Sequence, residues 1–227
     1  QARSAMIACG LALNRRGVNQ GKAGNASVRW HRGGRDGLLV TPSALPYDRM
    51  SIEDIVWLSL DAEPSGGADG PMPAVVDAQG RVPSSEWRLH RDLYVARDEV
   101  AAVVHAHPPH ASALACLPAI QAGGIPPFHY MVAAAGGRDI RCAAYATFGT
   151  QALSDAVIAA MHGRRACLMA HHGILAVGAG LAAALALAEE VEALARGYHL
   201  ARLHGGPALL DDAEMGRVLE RFASYRP

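Results

Sequence analysis

Apolar positions along this chain recur with two spacings, and the switches between them mark out its elements. Ile7, Ala8 and Leu11 share one face at helical spacing and predict a helix over residues 1–16, ended by Gly17. A glycine-rich run follows, with a strand-like tail at Asn25-Ala26-Ser27-Val28-Arg29. Residues 38–41 read as a short strand stopped by Pro42, and residues 55–60 as another. Between them Ser51, with Asp54 at the third helical position, predicts a capped helical turn. Residues 61–82 are dominated by Gly, Pro, Asp and Ala, broken only by Ala74-Val75-Val76, and predict a long exposed loop or hairpin.

Pro83-Ser84-Ser85-Glu86 opens a helix to about Arg97, with Ser84 or Ser85 as its cap and Trp87, His90 or Arg91, and Tyr94 at helical spacing. Val103-Val104-His105-Ala106-His107 then reads as a strand, broken by Pro108-Pro109-His110. Helices are predicted over residues 111–117, 131–135 and 151–161, and a loop over Tyr145-Ala146-Thr147-Phe148-Gly149-Thr150. Residues 166–177 form an apolar strand pair interrupted by His171-His172-Gly173. A helix over residues 180–203 carries Leu181, Leu185, Ala188, Val191, Ala195 and Tyr198 in one stripe, and a last short helix runs from about Asp212 to Phe222.

Composition narrows the function. Lys plus Arg and Asp plus Glu balance at 21 each, so no net field draws in nucleic acid or an acidic membrane, and an anionic ligand must be held locally. The apolar start near Met6 is preceded only by Arg3 and followed by no small-residue cleavage site, so it reads as a helix and not a signal segment. Residues 181–188 run into Glu189 and are too short to span a bilayer. Four widely spaced cysteines without a C-x-x-C pair suggest reduced thiols in the cytoplasm. Lys22 is the only lysine, which disfavours imine chemistry.

Four features suggest one site. Alternation puts His105 and His107 on one face of a strand, a natural metal chelate; two partly exposed histidines at a strand end is the plainer alternative. His172 lies in an apolar setting where its nitrogens need partners, and three histidines with an open position match a catalytic zinc; on a strand only one of His171 and His172 would face the metal. Glu86 sits in the first turn of its helix, where an acid is also simply favourable. Gly24-Asn25, Thr41-Pro42-Ser43 and Ser84-Ser85 supply amides and hydroxyls suited to a phosphate.

Asn19-Gln20-Gly21, Ala23-Gly24-Asn25, Ser27-Val28-Arg29, Pro83-Ser84-Ser85-Glu86-Trp87-Arg88, His105 with His107, His129-Tyr130-Met131, Ala133-Ala134-Ala135-Gly136-Gly137, Tyr145 to Thr150 and His171-His172-Gly173 occur in order. Together they resemble the class II aldolase/adducin family over nearly the whole chain. The resemblance implies an α/β fold: a single domain over residues 1–227, three layers α/β/α around a mainly antiparallel sheet, in a homotetramer with intersubunit active sites. It implies one zinc ion on His105, His107 and His172, with Glu86 as fourth ligand and later as acid/base. It implies a phosphate cradle at Gly24, Asn25, Thr41, Ser43, Ser84 and Ser85, a tyrosine acting from the neighbouring subunit at Tyr130, a second at Tyr225 in the tail, and an aldehyde-pocket wall at Phe148.

The implied reaction is cleavage of a ketose 1-phosphate, L-fuculose 1-phosphate first, to dihydroxyacetone phosphate and L-lactaldehyde through an enediolate. A ribulose-phosphate 4-epimerase, a methylthioribulose-phosphate dehydratase and an aldolase for rhamnulose or deoxyribulose phosphate would use the same histidines, and a non-catalytic adducin-like binding module would lack the full ligand set. Ala44 stands where the family often has glycine, so a positive φ there would strain it.

Overall fold

The computed structural model describes residues 1–61 and 80–224. Seven strands form one sheet: β1 (Asn25–Arg29), β2 (Gly37–Val40), β3 (Val56–Ser59), β4 (Ala102–Ala106), β5 (Cys142–Ala143), β6 (Ala166–Met169) and β7 (Gly173–Gly178). Their order is β3-β2-β1-β4-β7-β6-β5. Every neighbouring pair is antiparallel except β5 beside β6.

The helices are α1 (Ala2–Arg15), α2 (Trp87–Ala96), α3 (Pro109–Leu114), α4 (Pro118–Gly123), α5 (Gln151–Met161), α6 (Leu181–Leu203) and α7 (Asp212–Ser224). Strand alternation splits the core in two. Ala26, Val28, Leu39, Val104, Leu168 and Ile174 pack with α1, α3, α4, α6 and α7. Leu38, Val40, Val103, Cys167, Leu175 and Val177 pack with α2 and α5. Helices therefore cover both faces of a mainly antiparallel sheet, the expected three layers. Among the described residues no helix is long and apolar enough to cross a membrane.

Several details differ from the sequence reading. α1 buries Met6, Cys9, Ala12 and Leu13, while Ala8 is exposed. Both sets have helical spacing, and the larger Met6 and Leu13 take the inner side. α3 starts at Pro109, whose missing N–H costs nothing at a first helical position. Residues 130–135 form a tight 3-10 turn ended by Gly136 in the left-handed region. Neither serine caps α2: Glu86 is the cap residue, and Ser84 Oγ accepts from the Glu86 N–H at 3.3 Å. The Ser51–Asp54 turn forms as expected, Asp54 Oδ2 accepting from the Ser51 N–H at 2.8 Å. Most of the predicted loop or hairpin at residues 61–82, Ala74-Val75-Val76 included, lies outside the described residues.

Candidate metal centre and its cavity

Two strands and a helix start bring the site together. Asn25 of β1 pairs with His105 of β4. Gly24, just before, has φ +69°, and a Cβ there would stand 2.6 Å from the His105 carbonyl oxygen, so no other residue fits. His107 leaves the end of β4, and its N–H donates to Asn19 Oδ1 at 3.3 Å. The same Asn19 donates to the Ala23 carbonyl, tying the glycine-rich loop to the histidine strand. His172 comes from the turn between β6 and β7.

The imidazoles of His105, His107 and His172 stand edge to face, each pair of ring centres 4.8 Å apart. His105 Nδ1 lies 2.8 Å from the Ile174 carbonyl, which can only accept. The ring proton is thereby held on Nδ1, leaving the Nε2 lone pair turned inward. His105 Nε2 is 2.8 Å from His107 Nε2 and 3.1 Å from Glu86 Oε2. Glu86 Oε1 is 3.1 Å from His172 Nε2. The four ligand atoms lie within 4.8 Å of one another.

The electrostatics of this cluster ask for a positive charge. Burial pushes the Glu86 carboxyl up, but His105 and His172 outweigh it and hold it far below the usual carboxylate range. Burial would lower His105, and the Glu86 carboxylate reverses that. Burial, with the charges of His105 and His172, pushes His107 down to about 3 against the pull of Glu86. Glu86 Oε1 is buried, with the His172 ring nitrogen beside it. Three imidazole nitrogens and a buried carboxylate converging on one point fit a divalent cation. Three nitrogens and one oxygen suit zinc among the common metals.

Glu86, His107 and His172 line a cavity of about 400 Å³, with His105 buried behind them. Gly24, Asn25, Ser43, Ser84, Ser85 and Phe148 line it. Thr41 does not: it is buried, and its hydroxyl accepts from the Ala26 N–H at 3.2 Å. Thr41 acts on the rim through its backbone, its carbonyl accepting from the Ser84 N–H at 3.0 Å, while the Ser43 N–H donates to Val82. Those bonds bring two serine-bearing segments side by side. Ala44, also on the wall, has φ +58°, the strained conformation that its sequence position raised.

His171 is not the third ligand. The two histidines sit in a turn and not on a strand, so alternation does not separate them. His171 has φ +54° and its Nε2 lies 2.8 Å from Gln121 Nε2. Its ring meets Tyr145 at the cavity wall. Tyr130 is half exposed and lies in a different groove, with Phe128, Met131, Val218 and Phe222. Tyr225 lies outside the described residues. The sequence reading did not place Lys22 or Tyr145 on the cavity, and raised His171 only as a rival metal ligand. Lys22 is exposed, and its place beside Gly24 in the same turn was the available signal.

The family model for the class II aldolase and adducin N-terminal domain matches residues 4–199. A 5-methylthioribulose-1-phosphate/5-deoxyribulose-1-phosphate aldolase of Rhodospirillum rubrum is 48% identical over 209 residues, covering 92% of this chain and 85% of that protein. The L-fuculose phosphate aldolase of Escherichia coli K12 is 41% identical over 225 residues, covering 99% and 94%. A solved L-fuculose 1-phosphate aldolase superposes with a TM-score of 0.84 at 37% identity, covering 98% of this chain and 96% of that one. With three imidazoles and a carboxylate gathered under a rim of amides and hydroxyls, and with this likeness along almost its whole length, the chain belongs to the class II aldolase and adducin family and is a lyase.

Proposed function

We propose that this protein is a zinc-dependent aldolase that cleaves a ketose 1-phosphate into dihydroxyacetone phosphate and a small aldehyde. The observation that carries the reading is the Glu86, His105, His107 and His172 cluster, three of whose members open on a cavity also lined by Gly24, Asn25, Ser43, Ser84 and Ser85. His105, His107, His172 and, at rest, Glu86 would hold the cation. When bound, it supplies Lewis acidity at the ketone as the carbon–carbon bond breaks.

The chain's own residues do the rest. Glu86 is held ionised by its neighbours, so it is ready to take the proton at the carbon beside the ketone and return it. The hydroxyls of Ser43, Ser84 and Ser85 and the Asn25 amide hold the phosphate, with the Lys22 ammonium on the same wall, so binding energy far from the reacting bond fixes its position. Thr41 keeps those serines in place. Phe148 and Tyr145 wall the aldehyde end. Tyr130, turned outward, acts on the aldehyde-side oxygen in a neighbouring subunit's site, which requires the homotetramer; Tyr225 closes the site from the tail. We read the chain as one domain, working in the cytoplasm, where its four unpaired cysteines stay reduced.

Two substrates follow from the relatives: L-fuculose 1-phosphate, and a 5-deoxy- or 5-methylthioribulose 1-phosphate, which the 48% identity favours. A panel of ketose 1-phosphates with coupled detection of dihydroxyacetone phosphate and identification of the aldehyde decides between them. Failure of the zinc-loaded protein to release dihydroxyacetone phosphate from any of them rejects the reading. Light scattering tests the tetramer.

A further inference from the structure

Behind the cavity five buried side chains form one unbroken line. Asn25 Nδ2 donates to Glu86 Oε2 at 2.8 Å, and Asn25 Oδ1 is 2.5 Å from His90 Nε2. His90 Nδ1 is 2.7 Å from Ser27 Oγ, which is 2.9 Å from the Tyr94 hydroxyl. His90, Ser27 and Tyr94 are fully buried, so water supplies them no alternative partners, while Asn25, 4% exposed, borders the cavity.

Only one direction satisfies every member. An ionised carboxylate accepts, so Asn25 turns its NH2 to Glu86 and its carbonyl to His90. That carbonyl also only accepts, so the ring proton of His90 sits on Nε2. Burial and the charge of His105 push His90 down to about 3 against the pull of Glu86, which keeps the ring neutral. Nδ1 is then an acceptor, Ser27 donates to it, and Tyr94 donates to Ser27. Two periods interlock to build the line: Glu86, His90 and Tyr94 follow one another by a helical turn, and Asn25 and Ser27 share one face of β1.

We propose that His90 is a positioning residue: by donating from Nε2 to the Asn25 carbonyl, it fixes which end of that amide faces Glu86 and the cavity. Reversed, the amide would set oxygen against the carboxylate and leave the His90 N–H facing a donor. The inference rests on the roles given above to Asn25 and Glu86.

Long-range proton–nitrogen spectra of the zinc-loaded, histidine-labelled protein should show His90 protonated on Nε2 and bare on Nδ1. The opposite tautomer overturns the proposal. His90→Leu should weaken zinc binding to the stripped protein, and lower kcat/KM on the ketose 1-phosphate that is turned over, by about 10–100-fold. His90→Gln, whose amide nitrogen reaches the place of Nε2, should recover most of both losses. Equal losses in the two variants would mean that His90 only packs, and would overturn the proposal. Should His90→Leu not fold, Ser27→Ala replaces it: the Asn25 carbonyl still accepts from the ring, so the His90 proton should stay on Nε2, and a proton found on Nδ1 counts against the proposal. If no ketose 1-phosphate is cleaved, the proposed function fails, while the spectra and the zinc titration still decide the role of His90.

Discussion

Both faces of the sheet bury hydrocarbon, but only one also carries the site. Beneath α1, α6 and α7 the strands present apolar groups, among them Ala26, Val28, Val104, Leu168, Ile174 and Ala176. Beneath α2 the same strands turn in Asn25, Ser27 and His105, all buried. The first face stabilises by removing hydrocarbon from water. The second does the same through Leu38, Val40, Val103, Leu175 and Val177, and adds polar groups that are each costly unless paired but that hold donors and acceptors at fixed points in a low dielectric. The difference shows that burial has two meanings here, and that stability and activity should respond separately to substitutions on the two faces.

The largest effect expected is on the polar face. His105→Ala should lose zinc and aldolase activity together, read by metal analysis and the coupled assay; activity that outlives the metal would break the division. Glu86→Gln should keep zinc yet slow hydrogen exchange between dihydroxyacetone phosphate and solvent by about 10²–10⁴-fold, as expected for loss of a general acid/base. Unchanged exchange, followed by NMR in heavy water, would remove Glu86 from that role. On the apolar face Leu187→Ala, in α6, should cost about 2–5 kcal/mol in denaturant unfolding and leave kcat/KM per folded molecule intact. A fall in kcat/KM would show that the faces are coupled. The smallest effect is at the rim. Ala44→Gly relieves a left-handed alanine and should stabilise by about 1 kcal/mol, or about 2–4 °C in Tm; calorimetry finding no gain would show that neighbours already offset the strain.

Much of this was legible in the sequence because it is local. The alternation of His105 and His107, the helix that starts at Glu86 and the helix stripe from Leu181 to Tyr198 each lie within one element. The phase of α1 was less legible: in a helix rich in Ala and Gly, spacing shows that there is a helix but hardly which side is inward, so Ala8 was assigned inside and is exposed. α4, at 6 residues, and β5, at 2, are too short for a period to register. Thr41 has the composition of a phosphate ligand, and its hydroxyl goes to the Ala26 N–H, a partner 15 positions away. The line from Tyr94 to Asn25 needed β1 to be known to lie under α2, a pairing that no single segment announces.

The pairing of Asn25 with His105 ties the correctness of the fold to the existence of the site. Because side chains alternate along a strand, sliding β1 by one position against β4 would send Asn25 and Ser27 to the hydrocarbon side and turn Ala26 toward the histidines. A mispaired molecule would then have no amide or hydroxyl where the reaction needs one, and would be silent rather than sluggish. In this chain the catalytic assay doubles as an inspection of how the strands were threaded.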